Sequence, residues 1–138
     1  MSLSCKRKNE ILEKIKTVPV VEKLQMTTRS LGDGTCTVHI PHYKDYDGIF
    51  ESFNGGFLST LADAAACWAT MTRTGVDMKM ATISIHISFT APCHTDVLCH
   101  TKVIKTGRSL STVSAELFDE NGVLVAIAHV TYMLLGKN

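Results

Sequence analysis

One carboxylate stands alone in a long neutral stretch of this chain, and its isolation suggests chemistry. Residues 54–72 contain a single charged side chain, Asp63, among small, apolar and hydroxyl-bearing residues. Burying an unpaired charge is costly, so such a carboxylate is either well partnered or functional. A carboxylate partly withdrawn from water is a stronger base, and it acts as a general base or as a nucleophile toward a carbonyl carbon. The structural alternative is an Asp that caps or pairs within the fold.

A pair of glycines stands at the beginning of the same stretch. Gly55 and Gly56 follow Asn54 and precede residues with helical periodicity. N–H groups at the start of a helix lack intrahelical acceptors and lie at the positive end of its dipole, and glycine lets a ligand approach closely. These groups are therefore candidates to hold the oxyanion that forms when a carbonyl is attacked. The alternative is an ordinary turn before a helix.

The spacing of apolar residues predicts the helices that must position these groups. A long helix is predicted from Gly55 to about residue 74, with Asp63 on a stripe of small and polar side chains. A short charged helix is predicted over residues 7–17, and Pro19 is expected to end it. Residues 42–53 are predicted to form a loop.

Strands are predicted from alternation and from turn residues between the segments. The predicted strands are residues 24–31, 35–40, 82–90, 97–105, 110–118 and 123–135. In residues 82–90 the apolar side chains occupy every odd position, so one face of this strand is expected to be core. An antiparallel sheet with one long helix packed on it is an α+β domain.

Length, charge and cysteine content narrow the class of protein. The 138 residues suffice for one core, so we expect a single domain over residues 1–138. A net charge of +1 gives no reason to expect nucleic acid or a membrane as a partner. Five cysteines form no disulfide framework, which indicates a reduced, cytoplasmic location. The small residues and central Asp of residues 54–72 argue against a membrane span.

Several cysteines and histidines resemble metal ligands, but their spacing argues against a metal site. The Cys-His pairs at residues 93–94 and 99–100 consist of neighbours that point to opposite faces of a strand, and the chain has no Cys-x-x-Cys spacing. His39 and His42 are expected to be surface imidazoles. We therefore expect no metal site.

The sequence resembles the hotdog-fold acyl-CoA thioesterases, in particular the branch typified by phenylacetic acid degradation thioesterases. The most specific shared feature is the Gly55-Gly56 pair followed by Asp63 within Leu-Ala-Asp. The supporting segments are Phe-Thr-Ala-Pro at 89–92, Gly-Arg at 107–108 and residues 119–126. The resemblance covers residues 20–136 and implies a curved antiparallel sheet wrapped around a long central helix, with residues 1–19 as an N-terminal helical extension.

The resemblance implies a cofactor-free enzyme that hydrolyses an acyl-CoA thioester to free acid and CoA. It makes Asp63 the base or nucleophile and Gly55, with Gly56, the oxyanion donor. In relatives the Gly-Gly pair of one subunit faces the Asp of its partner, so the resemblance implies a homodimer or a dimer of dimers with sites at the subunit interface. Thr82 matches a hydroxyl position beside the reaction centre. Gly107, Arg108 and Ser109 match a turn that contacts the nucleotide end of CoA.

Two positions depart from the family pattern. Relatives usually carry His where this chain has Asn54, and many carry Asn where this chain has Gly48 beside Asp47. Asn54 donates and accepts hydrogen bonds but carries no titratable proton. A second function is therefore open, the binding of acyl-CoA or an acyl group without turnover. A hydratase or dehydratase is disfavoured, since the catalytic His of those enzymes is missing here.

The loop before the long helix carries four aromatic residues. These residues are Tyr43, Tyr46, Phe50 and Phe53. They predict an apolar or aromatic pocket for the acyl group.

Overall fold

The computed structural model describes residues 2–137, which form one antiparallel sheet and three α-helices. The strands are β1 (Thr27–Gly32), β2 (Thr35–Ile40), β3 (Met78–Phe89), β4 (Val97–Thr106), β5 (Leu110–Asp119) and β6 (Leu124–Lys137). The helices are α1 (Cys5–Ile15), α2 (Pro19–Lys23) and α3 (Gly55–Thr74). The strand order across the sheet is β1-β2-β4-β5-β6-β3, and every neighbouring pair is antiparallel.

Helix α3 lies against one face of the sheet and contacts all six strands. Neighbouring strands are about 4.8 Å apart, so a flat sheet of this kind is roughly 24 Å wide, about twice the diameter of a helix. The sheet therefore curves around α3, because every strand reaches it. This architecture confirms the predicted α+β class and, apart from the short helix α2, the predicted order of a helix, two strands, a long helix and four strands.

Local sequence determines both ends of α3. Asn54 is extended, and its Oδ1 accepts a hydrogen bond from the Gly56 N–H at 2.7 Å, which makes it the N-cap. At the other end Gly75 has φ 85°, a left-handed conformation that favours glycine. The apolar side chains that α3 buries are Leu58, Leu61, Ala62, Ala65, Ala66, Trp68, Ala69 and Met71. The predicted long helix is confirmed. Within residues 2–137 no helix is long and apolar enough to cross a membrane.

The N-terminal region differs from the prediction in two places. Helix α1 ends at Ile15, and Pro19 does not end it but begins α2, where the missing N–H of proline is tolerated. Residues 24–26 close α2 instead of extending β1, which begins at Thr27. Leu24 and Met26 were predicted to be strand residues, but they follow the end of the short helix α2 and precede β1.

Strand β3 lies at an edge of the sheet, so its alternating pattern does not mark a face that its own chain buries. Ile83 and Phe89 are each 51% exposed and Ile85 is 38% exposed. These side chains are open because β3 pairs only with β6, while α3 lies mainly over β2, β4 and β5. The prediction of a core face on this strand is therefore wrong for the single chain. An exposed apolar edge strand is a surface on which another chain can pair.

We propose that α1 is an integral part of a single domain over residues 1–138. Ile11 is fully buried, and α1 packs on α3. Ile11→Ala should lower the free energy of unfolding by about 2–5 kcal/mol, because it removes buried methyl and methylene groups and leaves a cavity. Urea denaturation followed by circular dichroism measures the change, with the exposed Glu10→Ala as the control. Equal unfolding midpoints for the two variants would contradict the proposal.

Candidate active site

Asp63 lies in the middle of α3, with its carboxylate turned toward the edge where β6 pairs with β3. The Thr82 hydroxyl of β3 donates to Oδ1 at 2.9 Å, and the Tyr132 hydroxyl of β6 lies 2.9 Å from the same oxygen. The Tyr132 hydroxyl also reaches the main-chain carbonyl oxygen of Asp63, so two acceptors share its proton. None of residues 2–137 donates a hydrogen bond to Oδ2. Hydrogen bonds therefore hold the carboxylate through Oδ1, while Oδ2 has no donor within the described residues.

The partners of Asp63 are neutral hydroxyl groups. Within the described residues 2–137, Asp63 forms no ion pair with Lys, Arg or His. Hydroxyl donors orient the carboxylate by hydrogen bonds without bringing an opposite charge beside it. The half-buried Asp63 therefore has an oriented carboxylate with one oxygen available to a water molecule or a carbonyl carbon.

Tyr132 is the residue at this site that the sequence reasoning missed. Burial, together with the nearby Cys67 and Asp63, raises the pKa of Tyr132 above its usual value, so its hydroxyl stays protonated and serves as a donor. A signal was present in the sequence, because Tyr132 continues the alternating inward positions of β6 and a buried tyrosine hydroxyl needs a partner. The partner is 69 positions away in the chain, so no local pattern identifies it.

Cys67 lies one helical turn after Asp63, but its thiol is not an alternative nucleophile. Burial, and to a smaller extent the charge of Asp63, raises the pKa of Cys67 to about 12. At neutral pH the side chain is therefore a thiol and not the reactive thiolate. Its Sγ lies 3.8 Å from the sulfur of Met80, so it contributes packing between α3 and β3.

The beginning of α3 presents one free main-chain donor and one free side-chain donor. The Gly56 N–H is engaged by the Oδ1 of Asn54, and the N–H groups of Phe57 and Leu58 donate to the Asn54 carbonyl oxygen. Within residues 2–137, the Gly55 N–H and the Nδ2 group of Asn54 donate to no acceptor. Of the two glycines, Gly55 is therefore the one whose N–H is available to a ligand oxygen.

The two halves of the predicted site are far apart within one chain. Gly55 and Asp63 are eight residues apart on α3, which is about 12 Å along the helix axis. A reacting carbonyl has to lie about 3 Å from both the oxyanion donor and the attacking or activating group. One chain brings Thr82 to Asp63, but it does not bring Gly55 to either of them.

Residues 107–109 form the exposed turn that joins β4 to β5. The Arg108 side chain makes no hydrogen bond or ion pair with any other residue of the described range 2–137. Close to this turn, the Ser111 hydroxyl lies 3.2 Å from the hydroxyl of Thr70 in the C-terminal half of α3. The turn therefore lies near the end of α3 that follows Asp63, away from the start of the helix.

His39 and His42 are not free surface imidazoles, and that prediction is wrong. The His39 Nε2 lies 3.1 Å from the Asp96 carboxylate, and the His42 Nε2 lies 2.7 Å from the Asp47 carboxylate. Both imidazoles are mostly buried, and Asp96 also accepts the His42 main-chain N–H at 2.8 Å. These contacts fasten the loop that leads to Asn54. Among residues 2–137 no three His, Cys, Asp or Glu side chains cluster as a metal site would require.

The aromatic residues of the loop before α3 occupy different environments. Phe53 is buried, and the Tyr46 ring lies against it with centroids 5.8 Å apart. Phe50 is 88% exposed, near Gly48 in a turn of the loop. Phe53 lines a groove beside Gly55. Of the four aromatic residues, Phe53 is therefore the one best placed to contact a ligand at the start of α3.

Comparison with solved structures identifies the fold. The structure is similar to that of the PaaI protein from the phenylacetic acid degradation operon of E. coli, with a TM-score of 0.90, 19% identity and coverage of 99% of both chains. It is also similar to a thioesterase from Haemophilus influenzae, with a TM-score of 0.83, 16% identity and coverage of 91% of this chain and 88% of that one. The hotdog fold expected from the sequence is confirmed.

Sequence comparison adds a family match. A sequence model described as the thioesterase superfamily matches residues 50–126. The phenylacetic acid degradation protein PaaI of Thermus thermophilus, solved as a point mutant, is 27% identical over 86% of this chain and 100% of its own, with a TM-score of 0.78. A search of curated proteins gives no match.

Asn54 offers a direct test of the geometry at the start of α3. Asn54→Ala removes the oxygen that accepts the Gly56 N–H, and we expect the free energy of unfolding to fall by about 1 kcal/mol. Asn54→Asp preserves a capping oxygen and should stay close to the original stability. Thermal and urea unfolding of both variants measure the difference. If alanine and aspartate at this position were equally stable, the cap described here would be wrong.

Proposed function

The chain belongs to the thioesterase superfamily, since the family model matches more than half of it, and we propose that it hydrolyses acyl-CoA thioesters to free acid and CoA. The observation that carries this proposal is the state of Asp63. Two neutral hydroxyl groups hold its Oδ1, and its Oδ2 is open within residues 2–137. An oriented carboxylate with one open oxygen suits attack on a thioester, either directly or through water.

The reaction needs a second element, which holds the thioester oxygen. We assign this role to the Gly55 N–H, assisted by the Nδ2 of Asn54, because both donors are free at the positive end of α3. An amide donor is sufficient for this purpose, because an oxyanion hole needs a fixed hydrogen-bond donor and not a titrating group. The replacement of the usual His by Asn54 is therefore compatible with hydrolysis.

Two mechanisms remain open to Asp63. As a general base, its Oδ2 removes a proton from water while the water oxygen bonds to the thioester carbon and the negative charge moves to the carbonyl oxygen. Collapse of this intermediate breaks the carbon–sulfur bond, and the CoA thiolate takes up the proton. As a nucleophile, Oδ2 bonds to the carbon, expels the thiolate and leaves an anhydride that water then hydrolyses. In both routes Thr82 and Tyr132 fix the carboxylate.

Two chains are needed to build this site. Gly55 and Asp63 of one chain are about 12 Å apart along α3, so we propose that Gly55 of one copy works with Asp63 of another. The exposed edge strand β3 supports this arrangement. If two copies of β3 pair antiparallel in a register centred between Ile85 and His86, the Thr82 region of one lies beside the Phe89 region of the other. Thr82 is bonded to Asp63 and Phe89 lies against Gly55, so the pairing joins the two halves.

Further contacts support the remaining parts of the proposal. Arg108 is exposed and free of partners within residues 2–137, so it is available to a phosphate of CoA, with Gly107 and Ser109 shaping the turn. Leu110 and Met133 are opposite each other on β5 and β6, and both are exposed, which would suit a dimer of dimers. All five cysteines are free, in agreement with a cytoplasmic location.

The binding of an acyl-CoA without hydrolysis is the second candidate function. The observation that favours it is Asn54, whose side chain is committed through Oδ1 to capping α3. Incubation of the protein with short, long and aromatic acyl-CoAs, with a free-thiol reagent as the readout, separates the two functions. Saturable binding with no release of thiol on prolonged incubation would favour the binding function and contradict hydrolysis.

The assignment of Asp63 is tested by a charge-removing substitution that conserves shape. Asp63→Asn should lower kcat by about 10²–10⁴-fold, because the amide neither accepts a proton nor attacks the thioester. The folded state should persist, since the Thr82 hydroxyl still has an oxygen to donate to. The same change at the exposed Asp77 is the control and should leave the rate unaltered. Rates for Asp63→Asn equal to those of the control would remove Asp63 from the mechanism.

A further inference from the structure

Phe89 stands directly over the glycine that carries the free N–H group. A methyl group added to Gly55 would come within 2.8 Å of the Phe89 Cζ and within 3.2 and 3.3 Å of its two Cε atoms. The ring therefore rests against Gly55 on the side where a side chain would project. A side chain at position 55 would therefore displace the Phe89 ring.

The Phe89 ring is in contact with the site but is not fixed in the core. It is the last residue of the edge strand β3, and half of its surface is exposed. A phenyl ring makes no directional hydrogen bond, so packing alone determines its position. Its exposed half lies on the edge strand that the proposed second copy covers, so the ring is a wall of the proposed site and not a free surface side chain.

A groove begins where this ring meets the start of α3. Its volume within one chain is about 390 Å³, and its lining includes the apolar residues Phe53, Leu58, Phe89 and Ala91 together with Gly55. Small-molecule pockets commonly have volumes of about 300–1,000 Å³, so this groove is near the lower limit. Such a volume suits a short or single-ring acyl group and is small for a long alkyl chain.

We propose that Phe89 is the residue that sets acyl specificity, as the wall of the acyl groove beside the Gly55 N–H. This inference rests on the proposed hydrolysis and adds the substrate class, acyl groups that are short or contain one ring. Phe89 lies against Gly55 and lines the same groove, so an acyl group whose thioester oxygen accepts from the Gly55 N–H lies close to the ring. The ring therefore contacts the first atoms of the acyl chain, and chains that push the ring outward react slowly.

The test compares the ratio of kcat/KM values for two acyl-CoAs between variants, and not the rate with one acyl-CoA. For the unaltered protein we expect kcat/KM to be higher with butanoyl-CoA and benzoyl-CoA than with dodecanoyl-CoA. Phe89→Ala should raise the ratio of dodecanoyl to butanoyl kcat/KM by about tenfold or more, because a few methylenes in a pocket are worth at least that factor. Val123→Ala, an equally exposed apolar residue in the turn before β6, is the matched control and should leave the ratio unchanged.

A merely structural role for Phe89 would give a different result. Loss of packing at the edge strand would lower all rates in proportion, or change the oligomeric state by light scattering, with no change in the ratio. An unchanged ratio in a folded Phe89→Ala protein overturns the inference. Phe89→Trp provides a second variant, for which the dodecanoyl to butanoyl ratio should fall.

The outcome remains interpretable if the proposed hydrolysis itself fails. In that case no acyl-CoA would release thiol with the unaltered protein. Calorimetric titration with non-hydrolysable butyl and dodecyl thioethers of CoA would then replace the rate measurement. A tenfold change in relative affinity in Phe89→Ala would support the specificity role without catalysis, and equal relative affinities in both proteins would overturn it.

Discussion

The hydrogen bonds that Thr82 and Tyr132 make to Asp63 are the contacts on which the rest of the structure depends. A carboxylate in the middle of a helix that is covered on most sides by a sheet needs partners, and these two hydroxyls come from the two strands at the sheet edge. The bonds tie the helix to the edge strand. They also leave one carboxylate oxygen without a partner within residues 2–137. Asp63, Thr82 and Tyr132 therefore both hold the helix to the edge of the sheet and form the proposed catalytic group.

The length of the central helix separates the two groups to which we assign the chemistry. The free N–H of Gly55 lies at its start, and Asp63 lies two turns later, beyond the reach of one small reacting group. The exposed apolar residues of β3 provide a way to close this gap, because a second copy that pairs there brings the two ends of the strand together. The curved sheet places Asp63 beside the exposed edge strand, and that edge is where the proposed second copy would bring Gly55 to it.

Local patterns in the sequence were sufficient for most of the fold. Asn54, the two glycines after it and Gly75 mark the ends of the long helix, and alternation marks the strands. Tyr132 could not be assigned to the site in this way, since its contact with Asp63 joins residues that are distant in the chain. The alternating pattern of β3 was read correctly as a strand, but a pattern does not tell whether the apolar face is covered by its own chain or by another. The pairing of His42 with Asp47 was missed because the prediction considered only the average exposure of histidine.

The central claim is that each site takes Gly55 from one chain and Asp63 from another, and mixing two inactive variants tests it most directly. Asp63→Asn removes the proposed base, and Gly55→Pro removes the N–H donor at the first helical position, where the helix tolerates proline and where its Cβ displaces only the Phe89 ring of the same chain. If the sites are shared, random pairing of equal amounts restores one intact site in each mixed dimer, and activity returns to about a quarter of that of the unaltered protein. If each chain contained a complete site, the mixture would stay as inactive as its components, and the shared site would be wrong.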